Sequence, residues 1–177
     1  MLNVEKTALE NVLIFTPSIF EDARGSYSET FHKADYEKAI KDATGRDVSF
    51  VTDSTVIGRR NTLRGLHGDD RTWKLLRCVS GEMYFVVANC DEKSPGFGKW
   101  TSVMLTGENR RQVLVPPFYG NGHITLSDKS ILTYQQSEYF RGSDKQFTKR
   151  YNSPRLGIQW PQVGNLIMSD RDRTADE

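Results

Sequence analysis

Hydrophobic positions recur along this chain mostly with period two, and once with period 3.6. Residues 12–15 are a short apolar run closed by Thr16-Pro17, which predicts a first strand. Residues 20–25 read as a turn-like connector. Residues 26–31 then alternate, Tyr27, Glu29 and Phe31 against Ser26, Ser28 and Thr30, and predict a second strand. From Lys33 the period changes. Tyr36, Ala39, Ile40 and Ala43 stand at i, i+3, i+4 and i+7, one apolar helical face, and Thr44-Gly45 supplies the stop. Further strands are predicted at 48–56, 61–67, 74–79, 83–88, 100–105, 112–115, 123–127 and 131–139, separated by Gly, Pro and Asp turns. The 83–88 run is apolar on both faces, as an inner strand is. The tail from Pro161 reads as irregular and charged. The pattern is that of a mostly β sandwich or barrel with one short N-terminal helix.

Charge narrows the function classes. Twenty-four Lys and Arg face 23 Asp and Glu, a formal net charge of +1. That argues against a nucleic-acid binder or a membrane-surface binder. At 177 residues the chain reads as one domain, 1–177, large enough to fold without staples. No apolar run reaches the length of a membrane span, and Glu5 and Glu10 stand where a secretory leader would be apolar. Cys78 and Cys90 sit in apolar runs without a C-x-x-C pairing, so they read as buried free thiols. A cytoplasmic protein is the expectation.

Candidate chemistry centres on Thr62-Leu63-Arg64-Gly65-Leu66-His67. Histidine, with an unperturbed pKa of about 6.5, is the side chain best suited to take a proton near neutral pH. In a regular strand Leu63, Gly65 and His67 share one face, and Arg64 and Leu66 the other. A barrel also brings Lys74 and Tyr134 from other strands toward one interior. Histidine as base, tyrosine as acid and a cation beside an oxyanion suit proton abstraction next to a carbonyl, hence epimerisation without a redox cofactor. The plainer readings are a core aromatic for Tyr134, a solvated strand end for Lys74 and a solvated tail charge for Asp172. His32, His67 and His123 are isolated, without the H-x-H spacing of a metal barrel, so no metal site is assigned. Phosphate-loop, dinucleotide-binding and nucleophile-elbow motifs do not occur.

An ordered set of segments carries a resemblance. Asp22-Ala23-Arg24-Gly25, Glu29-Thr30-Phe31, Leu63-Arg64-Gly65-Leu66-His67, Lys74-Leu75, Ser94-Pro95-Gly96-Phe97-Gly98-Lys99-Trp100, Val115-Pro116, Leu126-Ser127-Asp128, Tyr134 and Leu156-Gly157-Ile158-Gln159-Trp160-Pro161 occur in sequence. The chain thereby resembles the dTDP-4-dehydrorhamnose 3,5-epimerases over nearly its whole length. The resemblance implies a cupin-type jelly-roll β-barrel, a homodimer with exchanged N-terminal strands, a nucleotide-sugar substrate and no cofactor. It implies His67 as base, Asp172 as its orienting carboxylate, Tyr134 as the acid on the opposite face and Lys74 beside the 4-keto oxygen. Arg64 is implied at the phosphates and sugar, and Arg24, Tyr27 and Glu29 at the nucleotide across the dimer.

The chain departs from the family pattern at four places. Asn121 stands where a histidine is usual. Thr52 and Ser54 replace the Gln and Asn that help hold the base. Gly68-Asp69 follow His67 in place of an aromatic and Gln. Asn152-Ser153-Pro154 replaces an Asn-Asp-Pro turn. The expectation is retained proton chemistry with an altered substrate: a dTDP-4-keto-6-deoxyhexose, or a GDP-linked 4-keto hexose or heptose, in capsule, lipopolysaccharide or other surface-polysaccharide biosynthesis. Gly68 is expected to leave room for a larger sugar. The alternatives are a 3,4-ketoisomerase on the same fold and a non-catalytic sugar-nucleotide binding barrel.

Overall fold

The computed structural model describes residues 2–175; Met1 and residues 176–177, the ends of the predicted domain span, lie outside the described residues. The chain opens with strands β1 (Leu2–Lys6), β2 (Leu13–Pro17), β3 (Phe20–Asp22) and β4 (Gly25–Tyr27), followed by helix α1 (Lys33–Thr44). Strands β5 (Thr52–Arg59), β6 (Leu63–Gly68), β7 (Lys74–Ser80), β8 (Glu82–Asn89), β9 (Trp100–Thr106), β10 (Gln112–Val115), β11 (Tyr119–Thr125) and β12 (Lys129–Gln136) make up the middle. Strand β13 (Phe147–Thr148) and helix α2 (Asp170–Arg173) lie in the last third.

Two antiparallel sheets form the body. One runs β1-β2-β10-β7-β12-β5 and the other β13-β6-β11-β8-β9; β3 and β4 form a separate hairpin. Period-two patterning explains the layering. Ile14, Leu76, Cys78, Val113, Val115 and Leu132 of the first sheet meet Met83, Phe85, Val87, Val103 and Leu105 of the second in one core. Both outer faces are also partly covered. Tyr36 and Ile40 of α1 pack on Leu13, Phe15, Leu75 and Leu114, and Leu156 and Ile158 pack on Leu66, Val86, Ala88 and Cys90. Covered on both sides, β7, β8 and β10 lose their solvent face and read as near-continuous apolar runs. The architecture is the jelly-roll barrel of the cupins.

The helix begins and ends where the pattern places it. Gly45 ends α1 in the left-handed conformation at φ +73°, its N–H donating to the Lys41 carbonyl. Cys78 and Cys90 are buried free thiols. No helix of the described residues is long and apolar enough to cross a membrane. β1, at the edge of its sheet, pairs with β2 of its own chain.

Several local expectations are corrected. The 26–31 strand is only Gly25–Tyr27, and it pairs with a strand inside the segment read as a connector. Alternation persists past Tyr27, but no neighbouring strand supplies a ladder there. Predicted 48–56 is observed at Thr52–Arg59, and predicted 123–127 at Tyr119–Thr125. Both shifts follow the partner strand: β12 sets the register of β5 from Arg59 to Thr52, and β8 sets that of β11 from Tyr119. The tail is not wholly irregular, since α2 forms a short turn of helix capped by Ser169.

Leu105 is fully buried between the sheets. Leu105→Ala is expected to cost about 2–5 kcal/mol in urea unfolding. Ile57→Ala, on an exposed position, should stay within about 0.5 kcal/mol.

Candidate active site

The inner faces part where β5, β6, β7, β11 and β12 surround a cavity of about 220 Å³. Arg64, His67, Lys74, Asn121, Tyr134 and Gln136 are among its lining residues. A regular β6 would send Arg64 and His67 to opposite faces, and the structure overturns that expectation. Asn121 pairs with His67 and His123 with Arg64, so three residue steps on β6 oppose two on β11. The extra residue is a bulge, and it turns Arg64 and His67 to the same side. Gly65 sits inside the bulge at φ +114°, where a Cβ would lie 2.5 Å from the Asn121 carbonyl oxygen. Only glycine fits that backbone approach.

His67 is held from the tail. Its Nε2 lies 2.5 Å from Asp172 Oδ1, across 105 residues of sequence. The Asp172 side chain is 3% exposed and that of His67 29%, so the carboxylate is sealed while the imidazole reaches the cavity. Main-chain bonds bring the tail there: Leu63 N–H donates to the Ile167 carbonyl, and Ile167 N–H to the Asn61 carbonyl, each at 2.9 Å. Ser169 then caps α2. Its Oγ accepts from Asp172 N–H and donates to Asp172 Oδ2 at 2.9 Å. Burial pushes the Asp172 carboxyl up, but hydrogen bonds from His67, Ser169 and the Gly65 backbone, with the attraction of His67, bring it below the usual carboxylate range. The solvated-tail reading of Asp172 is therefore set aside.

Lys74 is 6% exposed, so it is no solvated strand end either. Desolvation lowers its pKa from the usual lysine value, and Arg171 adds to that, while Asp69 opposes both. Its Nζ lies 3.3 Å from Asn121 Oδ1 and 3.5 Å from the His67 carbonyl oxygen. Asp69 is itself buried, its Oδ1 accepting from the N–H groups of Arg71 and Thr72 at 2.9 and 2.7 Å. Those bonds fix the turn from β6 into β7, and hence the start of the strand that carries Lys74.

Tyr134, on β12, faces the cavity from the sheet opposite His67 and packs partly against the core. Thr52 and Ser54 lie on β5 opposite Gln136 and Tyr134, on the face that Val56 presents to the cavity, but they are not part of its lining. Arg24, Tyr27 and Glu29 are not brought to the cavity of their own chain. Arg24 pairs with Asp22 at 2.6 Å in the exposed hairpin, and Tyr27 and Glu29 line a separate cleft beside α1. The expectation that Gly68 opens space for a larger sugar fails. A Cβ there would lie 2.3 Å from the Phe147 ring and 2.5 Å from the Tyr119 carbonyl oxygen, so that space is already filled.

Four polar or aromatic lining residues lie outside the predicted set: His123, Gln136, Phe140 and Gln146. Gln136 continues the alternation of Tyr134, a signal present in the sequence. His123 shares a face with Asn121 two residues earlier. Phe140 has no sequence signal, because the loop after β12 is irregular. Among the described residues no three His, Cys, Asp or Glu side chains group as metal ligands. The arrangement is an imidazole with a sealed carboxylate behind it, a desolvated lysine and a tyrosine from the opposing sheet. It suits moving a proton on and off a carbon whose neighbouring carbonyl takes up the charge.

Known proteins share this architecture. A sequence model of dTDP-4-dehydrorhamnose 3,5-epimerase matches residues 6–177. The dTDP-4-dehydrorhamnose 3,5-epimerase of Salmonella typhimurium is 37% identical over 178 residues, 99% of this chain and 94% of that one. The dTDP-6-deoxy-D-glucose-3,5-epimerase of Legionella pneumophila, solved in complex with dTDP-4-keto-L-rhamnose, superposes with a TM-score of 0.92 at 30% identity, covering 99% and 92% of the two chains. A 3'-monoepimerase from Streptomyces bikiniensis, solved in complex with dTDP-quinovose, gives 0.87 at 27% identity, covering 96% and 85%.

Asp172 supplies a pH signature. Its folded pKa lies below the unfolded value, so its contribution is present above about pH 4 and is lost as pH falls through the folded pKa. Asp172→Asn should be less stable than the parent at pH 7 by on the order of 1–2 kcal/mol. In urea unfolding at pH 7, 5 and 3 the gap should close only at the lowest pH; a constant gap would remove the ionic role.

Proposed function

The chain belongs to the dTDP-4-dehydrorhamnose 3,5-epimerase family and is a carbohydrate epimerase, and we propose that it inverts C3, C5 or both of a nucleoside-diphosphate-linked 4-keto sugar without a cofactor. The observation that carries the reading is the His67–Asp172 pair at a cavity that also holds a desolvated Lys74 and, on the opposing sheet, Tyr134. With Nε2 committed to Asp172, Nδ1 is the nitrogen left to take the proton alpha to the ketone. The C–H electrons pass into the C4 carbonyl, and the resulting enolate oxygen is stabilised by the Lys74 ammonium. Tyr134 then delivers its hydroxyl proton to the opposite face of the same carbon. His67 loses its proton to water and Tyr134 regains one, so the net change is inversion alone. Asp172 holds the ring orientation and balances the imidazolium, while Arg64, at the mouth, suits the diphosphate.

The cavity supports a division of the substrate. Its volume of about 220 Å³ is below the ~300–1,000 Å³ of sites that enclose a whole ligand of drug size. It suits a sugar ring, with the nucleotide left at the mouth. Two copies then complete one site: the hairpin of one subunit and the segment just after it bring Arg24, Tyr27 and Glu29 to the nucleotide bound by the other. Phe20 and Tyr27, both more than 60% exposed and 6.5 Å apart, form an aromatic pair on that hairpin suited to a partner surface. Both sheets contribute to the one cavity, in keeping with a single domain. Surface-polysaccharide synthesis is the process such a sugar would serve.

The test is proton NMR in D2O with dTDP- and GDP-linked 4-keto-6-deoxy sugars, following the C3 and C5 signals. Parent protein should wash out one or both signals. His67→Asn should slow that loss by about 10²–10⁴-fold with the fold retained by circular dichroism; full exchange in that variant removes the assignment. A product with its carbonyl moved to C3 would indicate a ketoisomerase, and binding without exchange a retired site.

Subunit sharing has its own readout. A triple variant Arg24→Ala, Tyr27→Ala, Glu29→Ala and the His67→Asn variant should each be inactive alone. Activity should return when they are mixed and allowed to exchange subunits. A triple variant that stays active alone would place those three residues outside the site, and mixtures that stay inactive despite demonstrated exchange would assign them to their own subunit.

A further inference from the structure

His123 is the least exposed polar residue lining the cavity, at 4%, yet the proton relay leaves it unused. Its ring lies nearly parallel to that of Phe85, 13° apart with centroids 6.5 Å away. Among the described residues neither ring nitrogen has a hydrogen-bond partner. Neither nitrogen is among the sealed polar atoms lacking a partner, so each keeps some accessible surface, and the residue lines the cavity. Buried polar groups are ordinarily satisfied, because an unsatisfied donor or acceptor costs its full desolvation. A histidine that is buried, unpartnered and open to a ligand-sized space is a group waiting for that ligand.

We infer that His123 is a specificity residue, hydrogen-bonded to a hydroxyl of the sugar when the substrate occupies the cavity. The inference rests on the epimerase reading for its ligand class, and its chemistry follows from the surroundings. Burial first, then the positive charges of Arg64 and His67, push its pKa down to about 4, so at neutral pH the ring is uncharged. A neutral imidazole offers one N–H donor and one bare nitrogen acceptor. An alcohol, itself donor and acceptor, matches either nitrogen. A phosphate or carboxylate would find only one donor there, and Arg64 is the better partner for those. A methyl group would leave both nitrogens unsatisfied. On strand register His123 is paired with Arg64 and lies two residues along β11 from Asn121, while Lys74 contacts Asn121. The hydroxyl it reads is therefore one other than the carbonyl oxygen at Lys74.

The experiment measures binding, independently of turnover. The ligands are the stable dTDP- and GDP-linked glucoses, their 2-deoxy and 6-deoxy analogues, and free dTDP and GDP. Each is titrated calorimetrically into the parent, His123→Phe and His123→Gln proteins. With the preferred nucleotide, one deoxy analogue should bind the parent about tenfold more weakly than the full sugar. That difference should vanish in His123→Phe and partly persist in His123→Gln, which keeps a donor and an acceptor. Titrations in 15N-histidine-labelled protein should show the His123 ring nitrogens shifting with the full sugar and not with the free diphosphate. The inference is overturned if no analogue is discriminated, if His123→Phe keeps the discrimination, or if no nucleotide sugar binds. Discrimination through His123 together with absent C–H exchange would overturn the epimerase reading and leave this one standing.

Discussion

The contact between His67 and Asp172 is the constraint on which the site depends. One partner stands near the end of an inner strand and the other in the last turn of described structure, 105 residues later. A carboxylate buried to 3% is tolerable only where hydrogen bonds and an opposite charge replace its hydration. Here Ser169, the Gly65 backbone and His67 together do that. The consequence runs in both directions. The histidine is held in one orientation, and the tail is fixed against β6 by the same group that needs to be shielded.

The second constraint is geometric. A β-strand alternates, so adjacent functional side chains on one strand ordinarily point apart. The extra residue in β6 cancels that rule over three positions and gives one cavity both Arg64 and His67. Gly65 is what makes it affordable, since any Cβ would strike the β11 backbone. The bulge, the glycine and the register of β11 are therefore a single device. Lys74 and Asn121 complete it from β7 and β11, and Asp69 tethers the turn between β6 and β7. The cavity is thus polar on named positions and apolar at Val56, Leu76 and Leu132, the usual composition of a small-ligand site.

Much of this was legible in the residues. Nine of the eleven strands in the two sheets, the position of α1 and its glycine stop, and the burial of both cysteines follow from periodicity and side-chain type, whereas β1 and β13 have no predicted counterpart. Gln112–Val115 and the start of β7 at Lys74 were read to the residue, because apolar runs bounded by polar turns leave little freedom. The strands that slipped are those whose register a neighbour dictates. β11 begins four residues before its apolar core because β8 offers a ladder from Asn89 onward. The candidate proton-transfer residues His67, Lys74, Tyr134 and Asp172 come from the resemblance, with chemistry as support, and His123 reads in the sequence as an isolated histidine. Its meaning lies in having no partner, which is a property of three-dimensional surroundings.

The sequence by itself determined the class of the fold, the single amphipathic helix, the near-neutral charge and the inventory of groups able to move a proton. Those depend on local periodicity and on side-chain chemistry, which are carried residue by residue. Only the tertiary structure decided which of those groups meet. It turned Arg64 and His67 to one side, buried Asp172 and Lys74, closed the space beside Gly68 with Phe147, and left the nucleotide-binding candidates Arg24, Tyr27 and Glu29 outside their own chain's cavity. The reason is physical. Burial, desolvation and bulge geometry arise between segments far apart in the chain, and alternation within one segment contains no information about them.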